Sequence, residues 1–329
     1  MLNDTYKRKI DYLRISVTDR CNLRCIYCMP GYGIAQKEPQ DILTFEEIAD
    51  LVRLAVDMGI DKIKLTGGEP LVRKGLLRLI EFISRIPRLK DLSLTTNGTL
   101  LAKHAKALKE AGLQRLNVSM DTLDSKKFHY ITEGGRLEDV LEGIDAALEE
   151  GFFVKINTVV MRGVNDNEIL DFAQFGQEKR IIVRFIELMP MVKSIGCYTD
   201  LYSPPYISCG EIKDRLKVVG KLRESEERAG FGSGPAKYYE IEGLSVVIGF
   251  INPISCKFCS DCNRLRLTSD GLLMPCLGSS SYLDLKRPLR EGKIEDVREL
   301  IKEAVFLKPL EHSLVSSSFT QCLMSQVGG

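Results

Sequence analysis

The chain has 329 residues, ten cysteines and no tryptophan, and 46 basic against 45 acidic side chains leave a net charge of +1. That length exceeds what a single growing core accommodates, so one large domain and a smaller one are expected. The even charge balance argues against nucleic acid or a membrane surface as a partner.

No apolar run is as long as a bilayer span, and the opening "MLNDTYKRKI" lacks the apolar centre of a secretory signal. The expectation is a cytoplasmic protein, and in a reducing compartment clustered cysteines serve as metal ligands or catalytic groups more often than as disulfides.

In chain order, six β-rich runs alternate with amphipathic helical segments. They are "YLRISVT" (12–18), "DKIKLTGG" (61–68), "DLSLTTNG" (91–98), "RLNVSMD" (115–121), "FFVKINTVV" (152–160) and "IIVRFIEL" (181–188). The first helical segment opens at Thr44 with Glu47 three residues on, the spacing of a capping box, and stops at Gly59. "LEDVLEGIDAALEEG" repeats the arrangement and stops at Gly151. Strands and helices in this alternation predict a parallel sheet with right-handed crossovers.

Parallel strands covered by helices on both faces read as unbroken apolar runs. These do not. Leu13, Ile15 and Val17 alternate with Arg14, Ser16 and Thr18; Ile63 and Leu65 with Lys62, Lys64 and Thr66; Leu92 and Leu94 with Ser93, Thr95 and Asn97. Leu116 and Val118 alternate with Asn117, Ser119 and Asp121, and the last two strands contribute Lys155, Asn157 and Arg184 to the polar face. One face per strand is therefore polar, which predicts a partial barrel with a polar lumen. Arg14, Lys64, Lys155 and Arg184 make that lumen cationic and imply an anionic ligand. "TGGEP" (66–70) and "TTNG" (95–98) follow strands, where barrel active sites form. Gly67 and Gly68 permit close backbone approach to a ligand, although two glycines alone are more simply a βα turn.

"CNLRCIYC" (21–28) gathers Cys21, Cys25 and Cys28 at C-x3-C-x2-C spacing. Three thiolates hold three irons of a [4Fe–4S] cube and leave the fourth iron to an external ligand. A catalytic zinc with one open position has the same donor count, and spacing alone does not separate the two. Beyond a boundary loop at 196–206, "CKFCSDCNRLRLTSDGLLMPC" carries Cys259 and Cys262, with Cys276 following. Alone this reads as a zinc ribbon; beside a first cluster it reads as a second iron–sulfur site. Cys256 adds a further C-x2 step, either as a spectator thiol or as a fourth ligand that would close the second site.

The C-x3-C-x2-C loop with Tyr27 before its last cysteine, and "GGEP" at 67–70, resemble the radical S-adenosylmethionine (radical SAM) superfamily. "LRISVTDRCNLRCIYCMP", "KLTGGEPLVR", "NVSMDTLD", "FCSDCNRLRLTSDGLLMPCL" and the terminal "VGG" resemble the GTP 3′,8-cyclases, from about residue 4 to the end. The resemblance implies an α/β fold: a partial (β/α)6 TIM-like radical SAM barrel over 1–195, and a C-terminal extension over 196–329 carrying a second iron–sulfur cluster and a diglycine tail. It implies two [4Fe–4S] clusters and S-adenosylmethionine as cofactors and GTP as substrate. A homodimer, an electron donor and a downstream cyclic pyranopterin monophosphate synthase are the implied partners.

By the same resemblance, Cys21, Cys25 and Cys28 bind the first cluster and Cys259, Cys262 and Cys276 the second. Arg14, Lys64, Thr95, Lys155, Arg264 and Arg266 contact GTP, with Lys64 where the family pattern has arginine. Tyr27, Gly68, Ser119 and Met189 surround S-adenosylmethionine, and Arg184, Gly328 and Gly329 take part in catalysis. The loop "ELMPMVKSIG" departs from the family pattern after Met189. His104, His129 and His312 lie outside the motifs and are expected on the surface or in helix packing. The competing readings are a radical SAM enzyme that modifies peptides, and a zinc-stabilised binding module without turnover.

Overall fold

The computed structural model describes residues 2–29, 36–189, 205–225, 234–279, 281–312, 314 and 324–327. Six parallel strands, β1 (Tyr12–Ser16), β2 (Lys62–Thr66), β3 (Asp91–Thr96), β4 (Arg115–Ser119), β5 (Phe153–Val160) and β6 (Ile182–Glu187), lie side by side in chain order. Between them run α1 (Phe45–Met58), α2 (Leu76–Ser84), α3 (Leu101–Glu110), α4 (Ser125–Thr132) with α5 (Leu137–Glu149), and α6 (Ile169–Lys179).

Local chemistry sets these boundaries. The Thr44 hydroxyl accepts the Glu47 N–H at 3.1 Å while the Glu47 carboxylate accepts the Thr44 N–H at 2.7 Å, closing the capping box of α1. The helix ends where Gly59 turns left-handed, with φ at 107°. Its buried stripe of Ile48, Leu51, Val52 and Ala55 packs on the apolar strand face of Leu13, Ile15, Ile63 and Leu65, all within one continuous core. α4 starts from Asp124, whose carboxylate accepts the N–H groups of Lys126 and Lys127 at 2.9 Å each.

The second half of the chain does not stand apart from this sheet. After α7 (Cys209–Leu216) come β7 (Leu222–Glu224), β8 (Lys237–Ile241) and β9 (Val247–Ile251). They are followed by β10 (Arg264–Leu267), β11 (Leu272–Met274), β12 (Leu283–Asp284), α8 (Lys286–Arg290), α9 (Ile294–Phe306) and α10 (Met324–Val327). β10 pairs in parallel with β1, and β9 in parallel with β6, so the later strands extend both edges of the barrel sheet. The described order is β12-β11-β10-β1-β2-β3-β4-β5-β6-β9-β8-β7. One cavity touches β1, β3, β5, β6, β9 and β10 together, which requires this sheet to curl around it. Gly249 on β9 permits the closure, because a Cβ there would meet the Arg184 side chain at 2.7 Å and the Tyr238 ring at 3.0 Å.

Glu187, fully buried at the end of β6, fastens the two halves. Its carboxylate accepts the N–H groups of Cys209 at 2.8 Å, Ile254 at 3.0 Å and Ser255 at 2.9 Å, and also the Ser255 hydroxyl. Glu187→Leu strands these donors in the interior and is expected to cost about 3 kcal/mol or more of unfolding free energy. Glu187→Gln, which keeps an acceptor oxygen, should cost less, and urea denaturation of the two variants checks the order.

Candidate active site

The strand registers lay the cations out in rows. Arg14 on β1 lies opposite Lys64 on one side and Arg266 on the other, so three positive side chains stand abreast on adjacent strands. Asn157 lies opposite Arg184 in the same way. The cavity is lined by Arg14, Lys64, Arg184, Arg264, Arg266 and Lys308 together with Thr95, Asn157 and Met189, and no Asp or Glu is among its described lining residues. It encloses about 1060 Å³ of space counted out to its mouth.

Burial, reinforced by Arg264 and Arg184, lowers the Arg14 guanidinium to about 10. Burial beside Arg184 and Arg14 takes the Lys64 ammonium well below its ordinary value, and burial beside Arg184 and Arg115 takes Lys155 to about 6. Arg184 donates to the Asn117 side chain, yet its Nε is buried without a hydrogen-bond partner among the described residues, as is the Asn157 side-chain Oδ1. A site with this charge and these unspent groups fits a polar anion.

The first cysteine triad sits over one end of the lumen. Its loop follows the C-terminal end of β1, and its partners follow β2, β3 and β4. Asn97 donates to the Cys21 sulfur at 3.9 Å and Leu23 N–H to the same sulfur at 3.4 Å. The Tyr27 hydroxyl donates to Asp121 at 2.6 Å. Arg24 and Ile26 N–H groups bond to the Thr132 and Ile131 carbonyls at the end of α4. Burial, then Cys28 and Asp121, pushes the Cys25 thiol well up, so a thiolate there is disfavoured unless a cation accompanies it. A cationic iron–sulfur core would supply that charge, and three thiols on one loop are a donor set that fits such a core.

The second triad closes the opposite end. Cys262 stands two residues before β10, whose first residue Arg264 is in register with Tyr12 at the start of β1. Cys276 stands two residues past Met274, the last residue of the antiparallel β11. Both therefore lie at the end where the barrel strands begin, and the five residues of β1 put about 16 Å of strand between the triads. Cys259, Cys262 and Cys276 all line the cavity. Burial pushes the Cys262 thiol up, but Arg264 and Lys308 beside it pull it down to about 7. Cys256 is exposed and is not among the lining residues, so the donor set facing the lumen is again three thiols.

Of the residues expected from the sequence, Arg14, Lys64, Thr95, Arg184, Met189, Arg264, Arg266 and the second triad share this cavity. Lys155 lies beneath it on β5, its ammonium 5.1 Å from the Phe153 ring centre and 5.6 Å from that of Tyr238. Ser119 ends β4 opposite Asn157. Gly328, Gly329 and the loop that begins at residue 190 lie outside the described residues.

One expectation needs correction. His312 is neither on the surface nor in helix packing: it lines the cavity, accepts the Leu314 N–H on Nδ1 at 3.4 Å and so donates from Nε2 to the Pro253 carbonyl at 2.9 Å. The Gly67–Gly68 pair forms a tight turn after β2, where a Cβ at Gly68 would meet the Arg20 carbonyl oxygen at 2.3 Å. Gly68 and Glu69 N–H groups bond there to the Thr18 and Arg20 carbonyls at 2.7 and 2.8 Å, zipping this turn to the first cysteine loop. Lys308 carried no sequence signal beyond its place after an amphipathic helix.

Glu69 is fully buried, and burial raises its carboxyl to about 7 against the Asn97 and Leu71 N–H groups and the Thr96 hydroxyl, which favour the charged form. A folded value above the unfolded one means that ionisation opposes folding, so stability falls as pH rises from about 4.5 to about 7. Relative to Glu69→Gln, the wild-type apoprotein should lose on the order of 3 kcal/mol across that window and run parallel above it. Denaturant curves across the pH range check this, and a pH-independent difference contradicts it.

The Radical SAM superfamily family model matches residues 15–176, and the Molybdenum Cofactor Synthesis C family model matches residues 181–314. The chain is 48% identical over 331 residues to the GTP 3′,8-cyclase of Peptoclostridium acidaminophilum, covering 100% of this chain and 98% of that protein. It is 47% identical to the GTP 3′,8-cyclase of Moorella thermoacetica, covering all of both. Among solved structures, Streptococcus suis SuiB aligns over 92% of this chain and 67% of that one with a TM-score of 0.64 at 15% identity, a likeness of fold alone. Two cysteine triads at the ends of a cationic partial barrel, with relatives aligned along the whole chain, place this protein in the GTP 3′,8-cyclase family of the radical SAM superfamily.

Proposed function

We propose that the chain converts GTP to (8S)-3′,8-cyclo-7,8-dihydroguanosine 5′-triphosphate, the first step of molybdenum cofactor biosynthesis, using two [4Fe–4S] clusters and S-adenosylmethionine. The observation that carries this reading is the pair of cysteine triads at opposite ends of one cationic lumen. Cys21, Cys25 and Cys28 would hold one cluster, with Tyr27, Gly68, Ser119 and Met189 around the cofactor. Cys259, Cys262 and Cys276 would hold the other. When bound, the first cluster together with S-adenosylmethionine would supply the one-electron chemistry needed to link carbon 3′ of the ribose to carbon 8 of guanine.

The protein's own groups bind and orient. The row Arg266–Arg14–Lys64 supplies adjacent positive charges for the triphosphate, with Arg264 and Thr95 beside it. Lys155, held near 6 by burial and by Arg184, takes up a proton when the anion arrives. Arg184 keeps its Nε available for the substrate, and holding the ribose in one pose makes hydrogen abstraction selective. Gly328 and Gly329 are proposed to complete the site.

The division we propose falls at about residue 195, with the barrel before it and the auxiliary-cluster region after it, both built on one sheet. A homodimer, an electron donor and a cyclic pyranopterin monophosphate synthase that consumes the product are the proposed partners. No described helix is long and apolar enough to cross a membrane. The described cysteines form no disulfide, which supports a reducing cytoplasm as the site of action.

Anaerobic reconstitution with iron and sulfide should give roughly eight irons per chain, as two cubes contain. Reductant, S-adenosylmethionine and GTP should then yield 5′-deoxyadenosine in a GTP-dependent manner. Cys256→Ser should keep the full complement, and Cys262→Ser should lose about half of it. Stoichiometric zinc without iron removes the reading, and cofactor cleavage indifferent to GTP transfers it to a peptide-modifying enzyme.

A further inference from the structure

The segment that follows α9 runs along the second cysteine triad as a strap. Lys308, only 3% exposed, donates from its ammonium to the Arg264 carbonyl at 2.7 Å and the Pro275 carbonyl at 2.8 Å, and bonds to the Cys262 sulfur. Arg264 is two residues past Cys262 and Pro275 immediately precedes Cys276, so one side chain ties together the two stretches that carry those cysteines. All three ammonium protons are spent on this.

The strap is itself fastened from the N-terminal side. The Arg8 guanidinium donates to the Pro309 and Leu310 carbonyls at 2.7 and 3.1 Å and to the Cys259 carbonyl at 2.7 Å. Arg8 is buried and paired with Asp4 at 2.5 Å, which fixes its fork. The His312 N–H reaches Cys259 as well. Residues 308–312 thus bond to Cys262, to Cys259 and to the carbonyl that immediately precedes Cys276.

The charged groups acting on Lys308 are Cys262, Cys276 and Arg264, and none is a carboxylate. An ammonium is costly in the interior unless anions surround it. Three thiolates on an iron–sulfur cube are such an anion, and its negative charge grows on reduction. Net charge and hydrogen bonds to sulfur are the terms that set cluster potentials.

We propose that Lys308 is a positioning residue for the second cluster: it holds the Cys262 and Cys276 stretches in place and, through its charge and its bond to sulfur, keeps the reduction potential of that cluster higher than three thiolates alone would. The inference rests on the second triad being a cluster site, as proposed above.

The test uses the full-length chain with Cys21, Cys25 and Cys28 changed to serine, so that only the second site binds iron. Iron content and the midpoint potential, followed by electron paramagnetic resonance during anaerobic titration, are compared for the Lys308 parent and for Lys308→Met, Lys308→Gln and Lys308→Arg. The expected result is a shift to lower potential, largest for Met, smaller for Gln, which still donates, and near zero for Arg. Loss of iron in Met that Arg restores supports the same assignment. Equal potentials for the parent and Met at equal iron loading overturn it. Loss of iron in all three variants, Arg included, makes Lys308 a packing residue and also overturns it. If the parent itself loads no iron, the cluster reading of the triad fails, and the proposal fails with it.

Discussion

Positive charge gathered inside a barrel, around a cavity whose described lining holds no Asp or Glu, is the constraint around which this structure is arranged. Arg266, Arg14 and Lys64 stand abreast on neighbouring strands, where like charges directly opposite each other destabilise a sheet. Water would relieve the strain, but Arg266 is buried and Arg14 and Lys64 are half-buried, and burial lowers the pKa values of Arg14, Lys64, Lys155, Arg184 and Arg266 alike. The contrast lies at the foot of the same strands. There Lys62 meets Asp11 at 2.8 Å and Arg115 forks onto Asp91, so local partners are present where no ligand is wanted. The continuous apolar core outside the barrel lets the sheet tolerate these cationic rows.

The two ends of the lumen are built by the same means, backbone groups pinned by buried side chains. Glu69 ties the turn after β2 to the turn after β3, and that turn is zipped to the first cysteine loop. Glu187 ties the end of β6 to the stretch that leads into the second triad. Each carboxylate is spent on N–H groups and hydroxyls instead of on a lumen cation. The interior charge is thereby kept clear of both carboxylates, and the two triads are held about a strand length apart.

Much of this was legible in the residues because side-chain alternation is a local rule. Arg14, Lys64, Thr95, Asn157 and Arg184 fell on one face by parity alone, and one cavity collects them. The cysteine spacings marked both triads for the same reason. What escaped is non-local. No strand pattern says that β10 will pair with β1 and β9 with β6, since both pairings join residues far apart in sequence. Lys308 and His312 escaped because single polar residues after a helix have no period; only the fold brings them to Cys262 and Cys259. Gly67 and Gly68 were visible as a turn, and only the fold shows that their missing Cβ atoms make room for residues 18 to 20.

The most direct measurement of the account is calorimetric titration of the anaerobically loaded protein with GTP, GMP and guanosine across a range of salt. If the lumen cations hold the triphosphate, GTP binds far more tightly than guanosine, with GMP between them, and its affinity falls steeply as salt rises. Equal affinities for GTP and guanosine, or a GTP affinity indifferent to salt, would contradict the assignment of the lumen as a triphosphate site.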